Sequence, residues 1–190
     1  MGGCTSAWNQ VAFRGREDDG DQATATWKAL QNTNWTNGVD VNLRVRFEVQ
    51  ETAGCAKANF TTIQLQYNLN GTGWGNVNAT SNAVRSSASP NVADAANLTD
   101  QLTAGTGTFE GDACFDEVNG LCGSAATDVA ASGHVEAEFC VQIRSADVSD
   151  TDTIQLRLTD GGTPFAGYTA TPTITVSEAG GPARRIFVVT

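Results

Sequence analysis

Four stretches of the chain alternate between apolar and polar residues. In residues 41–50, VNLRVRFEVQ, the side chains of Leu43, Val45, Phe47 and Val49 fall on one side; Asn42, Arg44, Arg46, Glu48 and Gln50 fall on the other. In residues 61–70, Ile63, Leu65, Tyr67 and Leu69 oppose Gln64, Gln66 and Asn68. In residues 134–144, Val135, Ala137, Phe139, Val141 and Ile143 oppose His134, Glu136, Glu138, Cys140, Gln142 and Arg144. In residues 153–158, Ile154, Leu156 and Leu158 oppose Gln155 and Arg157. A period of two over such lengths predicts half-buried β-strands. If the four share a sheet, one face is aliphatic core. The other carries Arg, Gln and Glu with hardly any Lys, a composition suited to a packed polar contact rather than a freely wetted surface.

Shorter elements fill in around these. Residues 10–16 alternate, with Val11 and Phe13 inward and Arg14 and Arg16 outward, and residues 23–30 read as a strand running into a turn at Trp27. Asn37-Gly38 and Asn70-Gly71 are turn signals, the second opening a hairpin in YNLNGTGWGNV. Short strands are expected near residues 81–85 and 166–176, the latter with an edge or bulge at Pro172. Gly180-Gly181-Pro182 precedes RRIFVVT, a closing apolar strand that pairs within its own sheet or with a neighbouring copy. Residues 86–132, rich in Ala, Ser, Asn, Gly and Asp, form the least regular connection; a loop that long usually carries function. Many short strands joined by Gly, Asn and Asp turns predict an all-β fold: one antiparallel β-sandwich or jelly-roll-like domain with extended terminal arms. The expected boundaries are 1–9 for the N-terminal arm, 10–178 for the sandwich and 179–190 for the C-terminal strand or arm.

Composition narrows the partners. The chain has 190 residues and a formal net charge of −10. So acidic a surface does not seek nucleic-acid phosphates or anionic membranes, and no apolar run is long enough to span a bilayer. The first ten residues have neither a basic nor an apolar region, so no secretory signal is expected there. There are five cysteines, Cys4, Cys55, Cys114, Cys122 and Cys140, in no metal-binding spacing, and no zinc site or other cofactor is expected. Cys114 and Cys122 flank a loop and could close a small disulfide ring. Cys4, in the arm, is the candidate for a bridge between chains.

Candidate chemistry is sparse. The single histidine, His134, lies on a strand and reads as a polar-face residue; no phosphate-binding glycine loop is present, and no catalytic residue is assigned. The dense turn containing Asp18, Asp19 and Asp21 offers hard oxygen ligands for calcium but lacks the remaining positions of an EF-hand. Trp35 and Trp74, in polar turn-like surroundings, could serve as platforms for a sugar.

Several phrases carry a resemblance: FRGREDDGDQATATWKALQNTNWT (13–36), RVRFEVQET (44–52), IQLQYNLNGTGW (63–74), EFCVQIRSADVSDTDTIQLRL (138–158) and PARRIFVVT (182–190). They are similar to segments of structural and fibre-like proteins of tailed-bacteriophage virions, which are also small, acidic, nearly Lys-free and all-β. The resemblance spans most of the chain and contains no catalytic motif. It implies a non-enzymatic virion component, a head decoration, collar or fibre subunit, assembled in the host cytoplasm and working by self-association and docking on other virion proteins. The expected contact residues are Arg44, Arg46, Gln64, Gln66, Gln142, Arg144, Arg157, Arg184 and Arg185. The alternative is a carbohydrate-binding module that adsorbs to host-surface glycans through Trp35 and Trp74.

Overall fold

The computed structural model describes residues 3–58, 60–112, 114–122 and 128–177. In chain order the strands are β1 (Trp8–Glu17), β2 (Trp35–Gly38), β3 (Asn42–Glu51), β4 (Ile63–Leu69), β5 (Gly75–Asn76), β6 (Val84–Ser86) and β7 (Phe109–Glu110). They continue with β8 (Phe115–Asp116), β9 (Leu121–Cys122), β10 (His134–Ile143), β11 (Thr153–Asp160), β12 (Thr163–Pro164), β13 (Gly167–Tyr168) and β14 (Thr173–Ser177). The fold is all-β, a two-sheet sandwich.

The four alternating stretches divide between the two sheets. The first runs β13-β1-β3-β10-β6, with β7 and β8 also on β10; the second runs β2-β14-β11-β4-β5, with β12 on β11 and β9 on β4. The long pairings are antiparallel, but β1–β13, β10–β7, β10–β8 and β14–β2 are parallel, so both sheets are mixed rather than purely antiparallel. Alternation specifies which face a residue lies on; it does not specify which strand lies beside which. The most strongly alternating stretch, β3, holds the middle of the first sheet between β1 and β10.

Between the sheets lie Leu43, Val45, Phe47 and Val49 of β3 and Val135, Ala137, Phe139 and Val141 of β10. They meet Ile63, Leu65, Ile154, Leu156, Leu158, Ile174 and Val176 from the second sheet, all buried. Each such large aliphatic or aromatic side chain contributes roughly 1.5–3 kcal/mol on burial. Trp35 fills the end of this core beside Phe13, their ring centres 6.3 Å apart. It can approach because position 15 is glycine: a Cβ there would sit 2.6 Å from the indole.

Several local expectations change. A bulge between Gln10 and Ala12 shifts the alternation of β1, leaving Val11 half-buried while Ala12 and Phe13 enter the core. Gln10, now facing inward, bonds the second sheet, accepting from Leu158 N and donating to Ala170 O. Residues 23–30 are turns rather than a strand; Trp27 makes one isolated bridge to Arg16 and carries the Arg14 and Arg16 guanidinium groups on its ring. The 166–176 stretch splits into β13 and β14, with Pro172 just ahead of β14. β1 begins at Trp8, inside the segment read as an arm, and Cys4 is bonded to Cys55. The closing strand expected at 184–190 lies outside the described residues.

Candidate functional site

The polar face of the first sheet is internal. Antiparallel register brings like parity opposite like, so Arg46 stands across from Glu138, Glu48 from Glu136, and Arg44 from Arg16 and Cys140. Arg16, Arg44, Arg46, Glu48, Glu136 and Glu138 are each no more than 1% exposed. Glu138 is the hub: its carboxylate lies 2.5 Å from Arg46 Nε, 3.3 Å from Arg44 Nε and 3.5 Å from Arg16 Nη1. Arg46 also bonds Glu136 and donates to Thr99 O, and Arg44 pairs with the buried Asp18 carboxylate at 3.7 Å. Burial lowers the Arg16 pKa to about 10, the carboxylate of Glu138 opposing that shift.

The cover over this face is the chain's own long connection. Gln101 N and Leu102 N donate to Glu136 Oε1, Ala104 N and Gly105 N to the two oxygens of Glu48, and Thr106 N to Gln50 Oε1. Gln22 and Gln101 close the other side, Gln101 accepting from Arg16 and Gln22 from Arg46. Carboxylates that each accept several backbone N–H groups hold an irregular segment as firmly as a strand partner would. The same device recurs at Glu51, whose side chain accepts from the N–H of Ala7, Ala53, Gly54, Cys55 and Ser132. Burial opposes ionisation of Glu51, but these donors win and its pKa is lowered.

Arg44 and Arg46 are therefore not contact residues for a neighbouring copy, as the alternation had implied; their partners are within the chain. Gln142 donates to Asn42 at the margin of the layer, and Arg144 sits half-exposed 3.8 Å from Asp40. Gln64, Gln66 and Arg157 belong to the other sheet, on the face turned away from the core. Gln64 Nε2 donates to Val77 O and Gly120 O. Arg184 and Arg185 lie outside the described residues.

At one end of the polar layer, Glu48, Asp100 and His134 offer three ligand atoms within 4.8 Å of one another. Among the described residues no other trio of His, Cys, Asp or Glu does so. Asp18, Asp19 and Asp21, the calcium candidates, instead bond their own surroundings. Asp18 accepts from Asn42 and Ser89, Asp19 from Thr26 N, and Asp21 from Ala23 N, Thr24 N and the Thr24 hydroxyl. These bonds lower the pKa of Asp19 and of Asp21.

The two tryptophan candidates separate. Trp35 is 7% exposed and built into the core, so it presents no platform to a sugar. Trp74 is only half-buried and lines an open groove of about 420 Å³ with Tyr67, Leu69, Thr72, Gly73, Gly75, Asn82, Ala83 and Asp147. The Arg157 guanidinium stacks on the Trp74 ring, 4.1 Å from its centre, and lies 5.7 Å from that of Tyr168. Gln66 Oε1 accepts from both Arg157 Nε and Nη2, at 3.0 and 2.9 Å, while Gln66 Nε2 donates to Asn76. Three residues singled out separately in the sequence, Gln66, Trp74 and Arg157, thus form one fixed unit.

The cysteines resolve into two intrachain bridges. Cys114–Cys122 closes the small ring expected for it, and Cys4 pairs with Cys55 rather than with another chain. Cys140 is free and buried in the polar layer, where desolvation and the neighbouring Asp18 raise its thiol pKa.

Glu48 and Asp100 escaped notice in the sequence because each lies more than 30 residues from His134. The alternation placed Glu48 and His134 on polar faces, but nothing local tied Asp100 to either. No protein-family model, curated protein or solved structure matches this chain.

Proposed function

We propose that this chain is a non-enzymatic structural subunit of a tailed-bacteriophage particle, a decoration, collar or fibre component that works by self-association and docking on other virion proteins. The resemblance of its strand and turn phrases to such proteins supports this reading. The observation that carries it is the double tethering of the irregular parts. Two intrachain disulfides and a buried ionic layer fix arm and connection to the sheets. A subunit that must keep its shape under mechanical load benefits from such tethers, which constrain the unfolded chain. With the polar face of the first sheet internal, docking in this reading would use the outer face of the second sheet, where Gln64, Gln66 and Arg157 stand, together with Arg144 just beyond the end of β10 in the first sheet. The test is mass spectrometry of phage particles purified from cells in which the gene for the chain is carried. The protein is expected at stoichiometric copy number, and its absence from intact particles would overturn the reading.

The Trp74 groove favours a second reading, a module that binds host-surface glycans. An aromatic platform backed by a fixed Arg, with Asn82 and Asp147 on the rim, offers both apolar and hydrogen-bonding contacts to a sugar ring. In a glycan screen, Trp74→Ala is expected to abolish binding without unfolding the domain; binding that survives the substitution removes this reading.

A further inference from the structure

We infer that Glu48, Asp100 and His134 form a site for one divalent transition-metal ion of the zinc type, clamping the 97–106 segment to the first sheet. The three ligands come from three places: Glu48 from β3, His134 from the start of β10, and Asp100 from the covering connection. His134 Nε2 lies 3.6 Å from Glu48 Oε1 and 3.7 Å from Asp100 Oδ2. These separations are too long for hydrogen bonds. They fall within the roughly 3.3–3.8 Å between donor atoms that a tetrahedral or trigonal ion at about 2.0–2.2 Å from each would impose.

The histidine is oriented as a ligand. Its Nδ1 is 3.0 Å from Thr106 O, a contact in which Nδ1 must donate, and Nε2 is the nitrogen that faces the two carboxylates. A backbone carbonyl in that role is the usual outer partner of a metal-bound imidazole. The His134 side chain is 6% exposed, and Phe109 packs on its ring with centres 5.4 Å apart. Glu48 is equally constrained by the N–H groups of Ala104 and Gly105. Gly105 closes over the pair: a Cβ there would sit 2.6 Å from the imidazole and collide with Glu48 Oε1.

Charge points the same way. In the buried layer three guanidinium groups, of Arg16, Arg44 and Arg46, face four carboxylates, of Asp18, Glu48, Glu136 and Glu138. Among the described residues Glu48 has no guanidinium partner. The uncompensated charge therefore sits at the His134 end, where Asp100 adds a further carboxylate that is half in solvent and gives an ion a way in. One imidazole with two carboxylates suits zinc or its neighbours better than calcium, which takes six or more oxygens.

The experiment uses the full chain, stripped with chelator and titrated with Zn²⁺ at pH 7 by calorimetry, with Ca²⁺ in parallel. His134 is the one histidine, so its ¹⁵N imidazole spectrum reports the site without assignment ambiguity. The expected result is saturable binding of one equivalent of Zn²⁺, a shift of the Nε2 resonance with Nδ1 still protonated, and no competition from equimolar Ca²⁺. Asp100→Asn, at a half-exposed position that leaves the fold intact, should weaken Zn²⁺ binding by at least the roughly 10–100-fold that loss of an outer partner causes. Gly105→Ala should weaken it as well. No saturable binding, binding undiminished in Asp100→Asn, or an Nε2 resonance that responds to pH but not to Zn²⁺ would overturn the inference; the last result would make His134 a protonated bridge between the two acids.

Discussion

Replacing Glu138 by Gln tests whether the ionic layer holds the first sheet to its cover. The substitution keeps the shape and removes one charge from a point that three guanidinium groups approach within 3.5 Å. At an effective dielectric near 20, each charge pair about 4 Å apart is worth roughly 4 kcal/mol before desolvation. Relief of the carboxylate's own desolvation, several kcal/mol, offsets much of the sum. What remains is the cost of leaving buried guanidinium charge uncompensated, about 3–5 kcal/mol. In urea, with a slope near 2 kcal/mol/M, the midpoint should fall by about 1.5–2.5 M. The melting temperature of a domain this size should drop by roughly 6–20 °C. Glu17→Gln is the control: Glu17 pairs with Lys28 while its side chain is 46% exposed, and its loss should cost less than about 1 kcal/mol. Adding Arg44→Met to Glu138→Gln should recover part of the loss, because it removes one stranded cation, with a coupling of about 0.5–3 kcal/mol. A Glu138→Gln protein within 1 kcal/mol of the parent would refute the argument, since it would mean that the guanidinium groups are neutralised elsewhere.

Two further outcomes follow from the disulfides and from Asp116. On a non-reducing gel the alkylated protein should run as a monomer, because Cys4 is engaged with Cys55 and Cys140 is buried. Breaking Cys4–Cys55, which spans 51 residues, should cost about 4 kcal/mol on the chain-entropy estimate, against about 2.5 kcal/mol for the 8-residue Cys114–Cys122 ring; urea titrations of the Cys→Ser pairs rank them. Burial raises the Asp116 pKa to about 6 despite bonds from Gly120 N and Asn119 N, so the folded chain binds this proton more tightly than the unfolded one. Its contribution is present below about pH 4 and is lost as pH rises through about 6, amounting to about 3 kcal/mol. Asp116→Asn, which keeps the Oδ1 acceptor, should remove that slope from a stability curve measured between pH 4 and 8; an unchanged slope would mean that Asp116 is ionised at little penalty.

The strands that carry the site were legible where a residue's face alone decided its place. The alternation in β3, β4, β10 and β11 marked core and polar positions, and the Asn70-Gly71 turn has the positive φ values, 50° and 74°, that the dipeptide favours. The polar positions expected on one shared face divide between the two sheets: those of β3 and β10 are packed, against the chain's own connection rather than an outside partner, while those of β4 and β11 lie on the outer face of the second sheet. The cover consists of backbone N–H groups from residues 101–106, and a backbone donor leaves no mark in the choice of side chains. For the same reason nothing in the sequence marks Glu51 as the anchor that its five backbone donors make it. Cys4 and Cys55 are 51 residues apart, and Asp100 and His134 are 34, so only the closed topology unites them. Trp35 looked exposed because its sequence neighbours are polar; Gly15 on another strand makes the space it fills.

The two buried faces of β3 also bear on how the chain finds its pairing. In most half-buried strands a slip of one residue exchanges core for solvent, and the wetted polar side chains are lost to the interior. Here a slip would exchange an aliphatic interior for an ionic one. Leu43, Val45, Phe47 and Val49 would land among guanidinium and carboxylate groups, while Arg44 and Arg46 would enter the aliphatic core with no counter-charge. Both halves of that error carry penalties of several kcal/mol per charge. The ionic layer thus acts as a proofreader: it adds little affinity for the correct partner strand compared with what it subtracts from every misaligned one.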